Sequence, residues 1–233
     1  MKQKPILSNI SNWIFDLDNT LYRADANFFS QIDRKITRYI SEYLKIPEFN
    51  ARQHQKEFLR DYGTSLSGMM AVHNMDPDEF LEFVHDVDLS FLSPQPKLRN
   101  NLKLLKGRKF VFTNGSRKHA LNVTNHLKLN DLFDGSFGIE DTNYNPKPNE
   151  NAYNIFCEHY KVDPKMAIFF EDSPRNLIIP KKMGMKTVLV TSDVDWSHEP
   201  RSTRPAGNDT IADWIDFKTN DIESWLSEHI LSK

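Results

Sequence analysis

The chain has one cysteine, Cys157, in 233 residues. A single thiol excludes an intrachain disulfide and suits a reducing compartment. Its place in the helical-looking run Ala152-Tyr153-Asn154-Ile155-Phe156-Cys157 marks it as a packing residue rather than a nucleophile. An excess of charge of one sign is also missing: 30 basic against 32 acidic residues leave a formal net charge of −2. That balance gives no electrostatic reason to expect a nucleic-acid polymer or a membrane surface as partner. No apolar run approaches about 18 residues, so no transmembrane helix is expected. The N-terminus passes from Pro5 and Ile6-Leu7 into Ser8-Asn9 without the long apolar core of a secretion signal. There is no internal repeat and no low-complexity tract. These exclusions leave a cytoplasmic globular protein, whose 39% hydrophobic content supplies one good core and a small second one.

Trp13-Ile14-Phe15 is an apolar run that ends in Asp16-Leu17-Asp18-Asn19-Thr20. A short continuous apolar segment reads as a strand buried on both faces, and ligands collect beyond the carboxyl ends of such strands in open parallel sheets. After it, Phe28, Phe29, Ile32, Ile36, Ile40 and Tyr43-Leu44 recur at three- and four-residue steps, which predicts a helix closed by Pro47. Further helices are expected over 51–61, 65–73 and 77–85, with Gly63, Gly68 and Asp76-Pro77 as punctuation. The all-helical block from 22 to 93 reads as a second domain inserted after the first strand, and Pro94 and Pro96 mark the return to a core made of 1–21 and 94–233. Its borders near 21–25 and 93–96 are short enough to act as a hinge, so the block is expected to be a moving lid. Its aromatics, Phe28, Phe29, Tyr39, Tyr43, Phe58 and Tyr62, stand at helical spacing and read as core before they read as a stacking platform. His54, His73 and His85 read as surface or hydrogen-bonded residues rather than ligands.

Beyond residue 96 helix and strand alternate. Helices are predicted over 97–106, 116–127, 149–160 and 173–183, and strands over 109–112, 135–139, 166–170 and 186–190. That alternation implies right-handed βαβ crossovers and an α/β core with a mostly parallel, Rossmann-like sheet. Residues 192–209 read as a surface loop, 211–215 as an edge strand and 222–231 as a closing helix.

The reactive residue types cluster where strands run out. Asp16 and Asp18 follow the first strand, and oxygen ligands of this kind suit a hard cation such as Mg²⁺. Thr113-Asn114-Gly115-Ser116 follows Phe110-Val111-Phe112 and opens a helix, so its N-H groups point at an anion site, with Ser116 as N-cap. Lys147 sits between Pro146 and Pro148 in a stiffened, extended segment. Glu171-Asp172-Ser173-Pro174 follows Ile168-Phe169-Phe170, with Ser173 placed to cap the next helix.

In order and spacing, Asp16-x-Asp18-x-Thr20, Thr113-Asn114, Lys147-Pro148 and Glu171-Asp172 resemble the four motifs of the haloacid dehalogenase superfamily, over residues 12 to 190. The helical block is similar to that superfamily's C1 cap. The wording Phe-Asp-Leu-Asp-Asn-Thr-Leu-Tyr, the His119-Ala120 after Phe-Thr-Asn-Gly, and Glu-Asp-Ser-Pro-Arg-Asn-Leu is most similar to the pyrimidine 5'-nucleotidase group. The resemblance implies a Mg²⁺-dependent phosphomonoesterase acting on a small phosphorylated metabolite. In it Asp16 is the nucleophile and Asp18 the general acid and base. Asp16, the Asp18 carbonyl and Asp172 hold Mg²⁺, with Glu171 assisting. Leu17, Thr113, Asn114 and Lys147 bind the phosphoryl group, and Thr20 supports the loop. A sugar-phosphate or phosphoglycolate phosphatase, a phosphomutase, or a non-catalytic binding protein is the alternative. The oligomeric state is not legible.

Overall fold

The computed structural model describes residue 7 and residues 9–231, without the side chains of 230 and 231. The N-terminal reading at Pro5, Ile6 and Ser8 falls outside them. Six strands, β1 (Asn12–Phe15), β2 (Arg108–Phe112), β3 (Gly135–Phe137), β4 (Ala167–Glu171), β5 (Lys186–Val190) and β6 (Phe217–Thr219), form one sheet in the order β3-β2-β1-β4-β5-β6, every pair parallel. The architecture is the α/β, Rossmann-like one expected. β1 is central and buried along its whole length. Trp13 and Phe15 pack on one face of the sheet with Val111, Ile168 and Phe170; Ile14 packs on the other with Phe110, Phe112 and Phe169. A strand covered on both sides cannot alternate polar with apolar, which is why it reads as a continuous apolar run.

Between residues 22 and 93 the chain builds four α-helices, α1 (Phe29–Leu44), α2 (Glu48–Tyr62), α3 (Ser65–His73) and α4 (Pro77–Val84). Local chemistry accounts for their ends. Lys45 and Gly63 close α1 and α2 in the left-handed conformation, Thr64 Oγ1 accepts from Ser67 N at 3.0 Å, and Asp76 caps α4 with Pro77 at its first position. Gly68 is not punctuation. It lies inside α3, where an added Cβ would come within 2.3 Å of the Phe58 ring, so it permits α3 to cross α2 closely. Phe28, Tyr39 and Phe58 are core, whereas Tyr43 and Tyr62 are exposed.

The rest is α5 (Pro96–Leu104), α6 (Arg117–His126), α7 (Glu150–Tyr160), α8 (Ile178–Met183) and α9 (Ile222–Leu231). Three expectations are corrected. The edge strand is not 211–215, where Ile211 is 90% exposed, but Phe217–Thr219. Asp216 anchors it by accepting from Thr187 N and donating its own N-H to Thr187 Oγ1. The helix expected over 173–183 begins as a 3₁₀ turn, Pro174–Leu177, and Ser173 contributes no side-chain cap. Residues 192–209 are not merely a surface loop: Thr203 and Ala206 are buried, and Ala206 N donates to the carbonyl of Asp172 at 2.8 Å. No helix among the described residues is long and apolar enough to cross a membrane. Cys157 packs beside the second core cluster, and burial pushes its thiol up to about 11, which suits a packing residue.

Candidate active site

The parallel register brings the four motifs together. Phe15 pairs with Val111 and with Phe170, so Asp16, one residue further, is level with Phe112 and Glu171, and its N-H donates to Phe170 O at 2.9 Å. β2 and β4 leave β1 in opposite directions across the sheet, and the crevice at such a topological switch point is where an open α/β sheet places its ligand.

Lys147 fills the middle of this row. Its ammonium is 1% exposed and donates to Asp16 Oδ1 at 2.7 Å, Glu171 Oε2 at 2.7 Å and Phe112 O at 2.8 Å. All three of its hydrogens are therefore engaged. Burial pulls against its charged form, but the two carboxylates hold its pKa above the ordinary value. Asn114 fixes the lysine. Its Oδ1 accepts from Lys147 N at 2.8 Å and its Nδ2 donates to Lys147 O at 3.1 Å. One hydrogen bond from each end of the amide thus ties Asn114 to a backbone 33 residues away. Thr113 is buried and its Oγ1 accepts from Gly115 N at 2.9 Å, ordering the turn before α6. Leu17 is fully buried, and its carbonyl accepts from the N-H groups of Thr20 and Leu21, which closes the turn that carries Asp18. Among the described residues the buried Thr20 hydroxyl has no hydrogen-bond partner, so the turn is held by backbone and packing.

Asp16, Glu171 and Asp172 offer carboxylate oxygens within 4.8 Å of one another. Three buried acids facing one ammonium leave an excess of negative charge. Burial and then the Glu171 carboxylate push Asp16 up to about 7 despite the pull of Lys147, and burial with Glu171 and Asp16 pushes Asp172 well up. Hard oxygen donors, crowded, buried and short of positive charge, fit Mg²⁺. Glu171 is the least available of the three, since Oε2 receives Lys147 and Oε1 receives Ser173 N at 3.1 Å.

These groups form the floor of a cavity of about 350 Å³. Its walls come from both parts of the chain: Phe29, Ile32, Leu66 and Leu81 of the helical insert, and Trp196 and Glu199 of the 192–209 segment. Glu199 is ion-paired with Lys56 and lies 3.8 Å from Arg52, both on α2, which joins that segment to the insert.

Three residues with no assigned role stand beside Asp18. Tyr22 Oη donates to Asp18 Oδ1 at 2.7 Å, and His119 Nε2 is 3.1 Å from the same oxygen. Burial raises the carboxyl pKa, but His119 and Tyr22 outweigh it and hold Asp18 below its ordinary value. His85, at the end of α4, stacks on the His119 ring at 4.3 Å, and its Nδ1 is 3.1 Å from Ser116 Oγ. It is hydrogen-bonded as expected, yet it belongs to the site. One signal for His119 was available: Ser116, His119, Ala120, Val123 and Thr124 form the buried stripe of α6, at helical spacing.

Comparison with known proteins agrees with this fold. The family model described as haloacid dehalogenase-like hydrolase matches residues 13–190. Phosphate metabolism protein 8 of Saccharomyces cerevisiae is 28% identical over 76% of this chain, which spans 60% of that relative's length. Validoxylamine A 7'-phosphate phosphatase of Streptomyces hygroscopicus subsp. limoneus is 26% identical over 78% of this chain and 86% of its own. Among solved structures, a HAD phosphatase from Thermococcus onnurineus superposes with a TM-score of 0.62 at 19% identity, covering 96% of this chain and 98% of that one.

Proposed function

The chain belongs to the haloacid dehalogenase-like hydrolase family, and from that premise we propose that it is a Mg²⁺-dependent phosphomonoesterase that works through an aspartyl-phosphate on Asp16. The observation that carries this reading is the convergence of Asp16, Lys147, Glu171 and Asp172 on one cavity floor, with Asp18 two residues beyond the nucleophile. The phosphatase name of one relative, validoxylamine A 7'-phosphate phosphatase, supports it.

In the first half-reaction an Asp16 carboxylate oxygen bonds to phosphorus as the bond from phosphorus to the leaving oxygen breaks, and Asp18 gives that oxygen a proton. In the second, water attacks the phosphorus of the aspartyl-phosphate and passes a proton to Asp18. Asp16 departs as a carboxylate, leaving inorganic phosphate. Lys147 offsets the charge of the approaching dianion, and the N-terminus of α6 beyond Thr113 faces the phosphoryl oxygens. Asp16, Asp172 and the Asp18 carbonyl, with Glu171 assisting, would hold Mg²⁺, which would supply the further positive charge needed for an anion to attack an anion. The presence of Asp18 favours an ester over a halide as substrate, since a halide departs without a proton.

We assign 22–93 as a cap that selects the ester, with 1–21 and 94–233 as the core, acting in the cytoplasm on a small phosphorylated metabolite. A pyrimidine nucleoside 5'-monophosphate is the favoured member of that class. The motif wording supports it, and the cavity, of a size ordinary for small-molecule sites, carries Phe29 and Trp196 where a base could stack. The test is phosphate release from nucleoside monophosphates, sugar phosphates, phosphoglycolate and an aryl phosphate, with Mg²⁺ and with EDTA. Mg²⁺-dependent release, fastest from a pyrimidine nucleotide, is expected; no release from any ester overturns the phosphatase reading. Hydrogen exchange that is identical at 21–25 and 93–96 with and without a bound phosphate analogue overturns the moving cap.

A further inference from the structure

Among the described residues, the two side-chain hydrogen bonds to Asp18 both end on the same oxygen, Oδ1. Tyr22 donates to that oxygen, and with His119 in its Nε2–H tautomer the oxygen accepts twice; a proton placed there would point at the hydrogens of Tyr22 and His119. The proton is therefore carried by Oδ2, and with Oδ1 pinned the carboxyl plane cannot rotate to exchange the two. We propose that Tyr22 and His119 are positioning residues that make Oδ2 of Asp18 the single proton-transfer oxygen of the reaction, and that His85 of the helical insert holds His119 in place for that purpose.

The surroundings show how firmly the clamp is built. His119 is 1% exposed, and both Phe28 and His85 lie parallel to its ring, at 6.1 Å and 4.3 Å. Phe28 also meets Tyr22 edge-on at 5.2 Å, so one aromatic cluster carries both donors. Its members come from the turn after β1, the start of α1, the end of α4 and the first turn of α6. The cluster therefore joins the insert to the core at the acid itself. Ser116 Oγ ties it further, accepting from His119 N at 3.1 Å and lying within hydrogen-bond distance of His85 Nδ1.

This inference rests on the phosphomonoesterase reading and has its own signature. The specificity constant kcat/KM reports steps only through the loss of the leaving alcohol. An alkoxide needs the proton from Oδ2; an aryl oxide departs without one. In His119→Leu and Tyr22→Phe, kcat/KM for the best alkyl phosphate of the wild-type panel should fall about 30-fold or more, within the range of a general acid's contribution. For 4-nitrophenyl phosphate it should change by less than about 3-fold, while kcat for that ester falls because the water step also uses Asp18. His119→Gln, which can return an N-H donor to the position of Nε2, should recover most of the alkyl rate, and His85→Ala should show the same selective loss to a smaller extent. Equal losses in kcat/KM for both esters, or no recovery in His119→Gln, overturn the proposal and leave His119 as packing. A crystal structure of the double variant His119→Leu/Tyr22→Phe gives a readout free of turnover: an Asp18 carboxylate unmoved when both donors are removed together also overturns it. Failure of the wild type on every ester counts instead against the phosphatase reading.

Discussion

Replacing Asp16 with Asn should make the metal-free protein more stable while removing turnover, and the gain should grow with pH. The carboxyl of Asp16 is 6% exposed and its pKa is raised from 3.8 to about 7 by burial and by Glu171. Because the folded protein holds this proton more tightly than the unfolded chain, the stabilisation is complete below about pH 4 and is lost as pH rises through about 7. A displacement of about three units corresponds to about 4 kcal/mol of lost stability at pH 8, at about 1.4 kcal/mol per unit. Coulomb's law gives the same scale: two like charges 4.8 Å apart, the upper limit here, repel by about 3.5 kcal/mol at an effective dielectric constant near 20. Asn at 16 keeps an amide oxygen for the Lys147 ammonium, which stays paired with Glu171. Metal-free Asp16→Asn should therefore match wild type near pH 4.5 and exceed it by about 2 to 4 kcal/mol at pH 8. At about 2–4 °C per kcal/mol in a chain of this size, that is a rise in Tm of about 5 to 15 °C. The assay is thermal and urea unfolding in EDTA at the two pH values, with phosphate release measured on the same preparations. A variant less stable than wild type at pH 8, or an equal difference at both pH values, would refute the electrostatic account of the cluster. Measurable turnover in the folded variant would refute the nucleophile.

Lys147→Met leaves Asp16 and Glu171 buried without their common cation and should cost about 3 to 5 kcal/mol at pH 8, with a smaller loss near pH 5, where Asp16 is protonated; an unchanged urea midpoint at pH 8 argues against this. Asp172→Ala should raise the Mg²⁺ concentration for half-maximal rate, whereas Asp18→Asn should lower the rate with little change in that concentration, since its carbonyl is kept; superimposable Mg²⁺ titrations for wild type and Asp172→Ala remove Asp172 from the metal site. Gly68→Ala drives a Cβ into the Phe58 ring at 2.3 Å and should destabilise by about 1 to 3 kcal/mol, read by urea unfolding; a neutral or stabilised variant shows that α2 and α3 are free to separate.

Residues 65–73, 186–190 and 222–231 form the elements expected of them because their determinants are local: a threonine ahead of a helix, a β-branched run covered on both faces, an apolar stripe at 3.6-residue spacing. Three of the four motifs were legible because an apolar run stops in a reactive side chain and a strand end is the place where such a side chain meets ligand; Lys147 was marked instead by the proline on either side. Periodicity also marked the faces of the helices between 22 and 93, though not Gly68, whose reason for being glycine is the ring of Phe58 on the neighbouring helix.

Partners distant in sequence had no such signature. Asn114 has the residue type for binding a phosphate, and only the packing of the 145–148 segment against β2 turns its amide to the Lys147 backbone. The edge strand moved from 211–215 to 217–219 because Thr187 of β5 takes Asp216 as its partner, a choice made across the sheet edge and not by β propensity. Polar composition made 192–209 read as solvent-facing, yet its Ala206 docks on Asp172 and Glu199 reaches the helical insert. His119 and Asp18 stand 101 positions apart and meet because parallel register sets the ends of β1 and β2 side by side. Sequence alone determined which residues are candidates for the chemistry and which segments bury their faces, since both follow from side-chain type and spacing within one element. Which atom of each reactive group is engaged, and by whom, was decided only by the tertiary structure, because hydrogen-bond geometry depends on register and packing between elements.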